Sequence, residues 1–197
     1  MLGARSASAL DSIVAELPGA TAWPVELTDA DAVAAAVTGI ERLDVLVHNA
    51  AAAPRGDISE TPAAVWRSAF DTNVVAVAEL TRLLLPALRA AKGHVVLINS
   101  GAGLSVRPTW GAYAATKFAL RAFGDALRQE EPLLRVTSIH PGRIDTEMQR
   151  QMRAFEGRDY NPDEFLTAAT VARVVRQAID TPADAHPTEI VLRPAPR

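Results

Sequence analysis

Cysteine is absent from this 197-residue chain. That excludes disulfides, thiolate nucleophiles and thiolate-bound metals, and it permits a reducing compartment without showing one. Lysine is nearly absent: Lys92 and Lys117 stand against eighteen arginines. An excess of arginine and alanine reflects a GC-rich coding bias and carries no functional message by itself. Aromatic residues make up only 5%. No apolar run approaches the roughly 18 residues of a membrane span, because Arg, Glu or Pro interrupts each candidate. No secretory signal opens the sequence, so the cytoplasm is the expected location and no membrane partner is expected. His48, His94, His140 and His186 lie far apart with no HExxH, so no metal site is expected. A net charge of −3 gives no basic footprint for nucleic acid.

What is present is an ordinary globular profile, 49% apolar over a one-domain length. Short apolar runs alternate with helical patterns. The runs are Thr21 to Leu27, Leu43 to Asn49, Gly93 to Ser100, Arg135 to His140 and Thr188 to Pro194. Three of them are nearly continuous Val, Ile and Leu, as strands covered on both faces require. Between them, Asp29 to Val37 is alanine-rich. Thr61-Pro62 reads as an N-cap with proline at the first helical position, opening a helix to about Ala91 that Pro86 should kink. Further helices are predicted from about Ala112 to Glu131 and from Thr167 to Asp180, and Arg143 to Phe165 reads as a mobile loop or short helices. Strand–helix alternation predicts an α/β layered domain with parallel strands and right-handed crossovers.

Ligands of such sheets bind beyond the carboxyl ends of the strands. Those ends read HNAA (His48 to Ala51), NSGAG (Asn99 to Gly103) and HPGRIDT (His140 to Thr146), small and polar where backbone must approach a ligand. After the second of them comes YAATK, Tyr113 to Lys117. Residues four apart share one helical face, and Leu120, Phe123 and Leu127 continue this one, so it points inward. A lysine there needs a polar partner. Near a tyrosine, its ammonium favours the phenolate and lowers the phenol pKa towards the range of a working acid or base. Taken alone, the pair fits better a tyrosine at a helix start beside a snorkelling lysine.

Spacing extends the pattern. Ser100 lies thirteen residues before Tyr113, and Asn73 sits inside a helix in FDTNV. Together with HNAA, INSGAG, YAATK and HPGRIDT, in this order, these residues resemble the short-chain dehydrogenase/reductase family over nearly the whole chain. The resemblance implies one Rossmann-like domain over residues 1–197, a three-layer parallel sheet. It also implies NAD(P)-dependent interconversion of a small-molecule carbonyl and an alcohol. Tyr113 is then the acid/base, Ser100 holds the carbonyl oxygen, Lys117 lowers the tyrosine pKa and binds the nicotinamide ribose, and Asn73 holds a proton-relaying water. Asn49, Ala50 and Ala51 line the adenosine side, with Glu26 and Leu27 beside the adenine. Pro141, Gly142, Ile144 and Thr146 meet the nicotinamide end. Arg5, with no acidic residue there to hold ribose hydroxyls, favours a 2′-phosphate, hence NADP over NAD. The long helix from Pro62 and the helix carrying Tyr113 imply a homodimer or homotetramer.

The chain departs from the family pattern at its start. MLGARSAS resembles the exit from the family's second strand. On the order of 30–40 residues are therefore expected to be missing: the first strand, its glycine-rich turn, the first helix and most of the second strand. No GxGxxG occurs elsewhere, since GAGLSV has Val106 at the third glycine position. The expectation is an N-terminally truncated fold with four contiguous strands from Leu43 onward. The Leu43 to Asn49 strand gains a bare edge, the Thr21 to Leu27 strand loses its neighbour, and the first forty residues are poorly anchored. A non-catalytic remnant that binds no cofactor and acts through oligomer contacts is the alternative. A serine hydrolase built on Ser100, His140 and Asp145 fits less well, because Ile98 breaks the nucleophile-elbow motif.

Overall fold

Strand β4, His94–Ile98, runs through the centre of the main sheet with Val95, Val96 and Leu97 shut off from solvent. The computed structural model describes residues 1–195. Parallel to β4 on one side lies β3, Val45–His48, and on the other β5, Arg135–Pro141, and then β6, Glu189–Leu192. Val95 and Leu97 join one cluster with Leu80, Leu84 and Leu88 of α4 (Ala76–Ala91) and Leu120 and Leu127 of α5 (Gly111–Glu130). Val96 points the other way, as strand alternation demands, and α7 (Ala168–Asp180) packs on β5. Both faces of the sheet are covered, which is why its strands are apolar throughout.

The four contiguous strands were expected, and so was the open edge of β3, where Val47 is exposed. The amino-terminal region differs from expectation. Strand β1, Leu2–Ala4, pairs in parallel with β2, Ala22–Pro24, as a separate two-stranded sheet, so β2 does keep a neighbour. Helix α1 (Ala7–Glu16) joins them, its start capped by Ser6 Oγ accepting from Ala9 N. The anchor comes afterwards: Val25, with Val33 and Val37 around α2 (Ala30–Ala36), is buried against α4, and Trp23 Nε1 donates to Ala36 O at 3.1 Å. Residues 25–37 are therefore tied down by side chains, without a hydrogen-bond ladder to the main sheet.

The expected long helix from Thr61 is interrupted. Its N-cap is Pro62, because Thr61 turns its hydroxyl back to donate to Asp57 O at 2.7 Å. Helix α3 (Ala63–Phe70) then passes through a π turn at Asp71–Val75 before α4 begins. Helix α4 continues through Pro86 to Ala91, so the break in regular geometry falls at Asn73 instead of at the proline. Inserted π turns concentrate at functional positions. The segment read as a loop carries α6 (Glu147–Phe155) and a short 3₁₀ turn at Pro162–Glu164.

Candidate active site

The carboxyl end of β4 is bolted to α5 by one side chain. Asn99 Oδ1 accepts from Ser100 N at 2.8 Å while its Nδ2 donates to Lys117 O at 3.1 Å. Ser100 then caps the 3₁₀ turn Gly101–Gly103, its Oγ accepting from Ala102 N at 3.1 Å. Gly103 has no room for a side chain: a Cβ there would lie 2.5 Å from Asn99 Oδ1 and 2.8 Å from Lys117 O. The turn thus holds Ser100 against the first turns of α5, where Tyr113, Thr116 and Lys117 are all buried.

Ser100, Tyr113 and Lys117 line one cleft of about 540 Å³ at the carboxyl edge of the sheet. Asn49, Ala51, Pro141, Gly142, Ile144 and Thr146 line it too. Lys117 finds the partner its burial requires, donating from Nζ to Ile98 O at 2.9 Å. Desolvation pushes its pKa down to about 8. The expected lowering of the tyrosine pKa is reversed. Burial pushes the Tyr113 phenol up, and a hydrogen bond with Ser100 offsets that only in part. Lys117 Nζ stands 5.8 Å from the Tyr113 ring centre, and burial in a shared wall penalises the charge on each.

Other expected residues lie outside the cleft. Asn73 uses its side chain as a clamp: Oδ1 accepts from Ala52 N at 2.8 Å, and Nδ2 donates to Ala52 O at 2.7 Å and Thr116 Oγ1 at 2.9 Å. It joins the loop after β3 to α5, with both N–H groups of the amide spent and one lone pair of Oδ1 left over. Ala50 does not line the cleft, although both its neighbours do. Arg5, Glu26 and Leu27 belong to the amino-terminal region, where Arg5 and Glu26 form an exposed ion pair at 4.0 Å. His48 stays neutral, its pKa pushed down to about 4 by burial. Thr81 gives its proton to Val77 O, so His48 donates from Nε2 to Thr81 Oγ1 at 2.9 Å. The hydrolase arrangement does not assemble: buried His140 donates from Nδ1 to the carbonyl of Ser100, not to its hydroxyl, and Asp145 is engaged by Tyr160.

A roof of ion pairs closes the far wall. Arg143 binds Glu156 through two hydrogen bonds of 3.0 and 2.6 Å, and Arg55 reaches the same carboxylate at 3.5 Å. Burial pushes the Glu156 carboxyl up, but Arg143 and Arg55 outweigh it and hold the group below the usual carboxylate range. The Arg55 guanidinium also lies 4.0 Å over Trp110 and donates twice to Thr109 Oγ1. Thr109 sits at φ +66°, a strained value for a β-branched residue that this clasp sustains. Sequence reasoning missed Arg55, Trp110, Gln149 and Arg193. Trp110, three residues before Tyr113 at the helix start, had a helical-face signal. The others are brought in by long-range packing that leaves no local pattern.

Residues 1–157 match the family model for short chain dehydrogenase. An uncharacterised oxidoreductase of Staphylococcus saprophyticus is 30% identical over 162 residues, covering 78% of this chain and 66% of the relative. Dehydrogenase/reductase SDR family member 7B of Xenopus tropicalis is 35% identical over 166 residues, 78% of this chain and 54% of that one. The chain spans about half to two thirds of the length of such curated relatives. A short-chain dehydrogenase structure from Streptomyces avermitilis superposes with a TM-score of 0.83 at 28% identity, covering 96% of this chain and 77% of that one. Its cleft at the carboxyl ends of parallel strands agrees with that match, and the chain belongs to the short-chain dehydrogenase family.

Proposed function

We propose that this chain carries the reaction centre of an NAD(P)-dependent oxidoreductase that interconverts a small carbonyl compound and an alcohol. The observation behind this reading is that Ser100, Tyr113 and Lys117 line the same cleft as the Pro141 to Thr146 turn. Tyr113, kept protonated by burial, donates its proton to the carbonyl oxygen during reduction. Ser100 holds that oxygen, an electrostatic contribution aimed at the charge developing there. Lys117 keeps two N–H groups beyond its bond to Ile98 O for a ribose hydroxyl and is charged below about pH 8. Asn73 acts as a positioning residue, locking the loop after β3 to the helix of the acid/base.

The residues fit the nicotinamide half of the dinucleotide. Lys117 has unused donors, and Thr146, Ile144 and Gly142 line the cleft. Among the described residues no glycine-rich turn with a helix start stands beside the β3 edge to take the pyrophosphate. When bound, the nicotinamide supplies or accepts a hydride. Arg5 keeps an exposed guanidinium 4.0 Å from the Glu26 carboxylate and is the basis for NADP as the form used, and exposed Val75 and Phe118 on the π turn and α5 support a homodimer across those helices. The test is a titration with NADPH, and with NADH in parallel, following nucleotide fluorescence and thermal stability. Saturable binding in the micromolar range, and turnover that falls about 100-fold or more in Tyr113→Phe with an unchanged melting temperature, are expected. No binding and no thermal shift would show that this chain alone does not form the enzyme and favour the non-catalytic alternative.

A further inference from the structure

The cleft carries more positive charge than its own carboxylates neutralise. Of the charged groups lining it, Arg143 is paired with Glu156 and Glu164 with Arg153. Arg107, Lys117 and Arg193 line the same cleft, and none has a carboxylate partner among the described residues. Arg193, just beyond β6, is an exposed residue whose guanidinium is pinned by backbone contacts. Its Nη1 donates to His140 O at 3.2 Å and Leu192 O at 2.9 Å, which leaves Nη2 and Nε with no acceptor among the described residues. The guanidinium lies against Gly101, where a Cβ would stand 3.4 to 3.5 Å from Nη1, Cζ and Nη2. It therefore flanks the backbone of the residue directly after Ser100.

A second observation comes from α6. Gln149, in the first turn of α6, is 4% exposed, lines the cleft, and makes no side-chain hydrogen bond among the described residues, so its buried Nε2 is a donor without an acceptor there. A buried amide left unpaired is unfavourable unless a ligand satisfies it. A guanidinium with free N–H groups and an amide donor match the acceptor lone pairs of a carboxylate. Trp110, Met148 and Met152 supply the apolar surface for the rest of a small molecule.

We infer that the cleft takes an oxo acid or hydroxy acid, whose carboxylate is held by Arg193 with Gln149 while its carbonyl or hydroxyl carbon faces Ser100 and Tyr113. The inference rests on the oxidoreductase reading for the reaction, but the recognition of the carboxylate does not depend on turnover. Reduction adds a hydride from NAD(P)H to the carbonyl carbon and the Tyr113 proton to the oxygen. The product is the hydroxy acid and the oxidised dinucleotide, with the carboxylate unchanged.

The probes are 2-hydroxyhexanoate, 3-hydroxyhexanoate and their methyl esters, titrated against tryptophan fluorescence of the full chain. At least one acid binds tenfold or more tighter than its ester in the parent protein. Arg193→Met removes that preference, and Arg193→Lys, which keeps the charge, restores part of it. Should Arg193→Met melt early through loss of its contacts to His140 and Leu192, Gln149→Leu is the second variant, expected to weaken acid binding several-fold and leave the ester unchanged. Equal binding of acids and esters in the parent overturns the proposal. So does an acid preference that survives in both Arg193→Met and Gln149→Leu. A third contrary result is an Arg193→Met protein that loses NADPH affinity with acid binding intact, since the guanidinium then serves a phosphate of the dinucleotide. Turnover is read separately: selective acid binding without turnover overturns the oxidoreductase reading and leaves the carboxylate site, whereas turnover without acid preference does the reverse.

Discussion

Two regions of this protein are held together by different forces. From β3 onward, four strands share continuous hydrogen-bond ladders, and β4 and β5 contribute side chains with no exposure at all. The amino-terminal region forms its own two-stranded sheet and meets the rest through side chains, chiefly Val25, Val33 and Val37 against α4. The residues proposed for the chemistry follow the same division. Ser100, Tyr113 and Lys117 stand at the end of β4 and on α5, where ladder and core coincide, while Arg5 and Glu26 stand in the region whose own short ladder does not join the main sheet. Proton transfer requires geometry held to fractions of an ångström, and a charge contact to a distal phosphate does not. The difference between the regions is thus one between precision and tolerance.

Glycine substitutions separate the regions most sharply. Gly103→Ala must displace either Asn99 Oδ1, 2.5 Å away, or the Lys117 carbonyl, 2.8 Å away, and both belong to the bolt between β4 and α5. A loss of about 3 kcal/mol in urea unfolding is expected, with acid/base activity lost alongside it. In the amino-terminal region, Gly19 has nothing within 4 Å of its virtual Cβ but sits at φ +81°. Gly19→Ala costs only the backbone strain, about 1 kcal/mol, and leaves the cleft unchanged. Equal losses for the two variants would show that the regions unfold as one body with no privileged core.

Lys117 tests the electrostatic side of the precise region. Its pKa falls from the usual 10.5 to about 8 on burial, so between those values the unfolded chain binds the more protons. Stability due to this residue therefore rises with pH across that window, by on the order of 3 kcal/mol in total. Lys117→Met lacks the rise. Melting curves should show the variant gaining most over the parent near pH 7, with the gap closing by about pH 10. A gap independent of pH would mean that the ammonium is already solvated in the folded protein.

The strands of the main sheet were legible because burial on both faces writes continuous apolar runs such as LDVLVHN and GHVVLINS. Tyr113 and Lys117 were legible through helical spacing, and Ser100 by its place after a strand. Three features were not. The π turn at Asp71–Val75 has no local signature, since the residues DTNVV satisfy a helical pattern equally well. The fate of Asn73 depends on Ala52 and Thr116, twenty-one and forty-three residues away. The upward push on Tyr113 depends on its burial, a property of the folded wall, whereas the sequence shows only that a lysine lies four positions along. Roles set by neighbours in the chain could be read from it; roles set by what packs across the cleft could not.

The smallest expected effect concerns the side-chain tether itself. Val33 is 1% exposed between α2 and α4, and Val33→Ala removes about 2 kcal/mol of packing there. Ile13 on α1 is 48% exposed, and Ile13→Ala should stay within about 0.5 kcal/mol. Amide hydrogen exchange distinguishes where the Val33 loss goes. If packing alone holds the amino-terminal region, exchange quickens across residues 2–36 in Val33→Ala, while the ladders of β4 and β5 keep their protection, because opening that region breaks none of their hydrogen bonds. Acceleration spread evenly over β4 and β5 would instead show that α2 is part of the same cooperative unit as the reaction centre, and that the contact of Val33 with α4 supports Ser100 and Tyr113 as directly as the strands do.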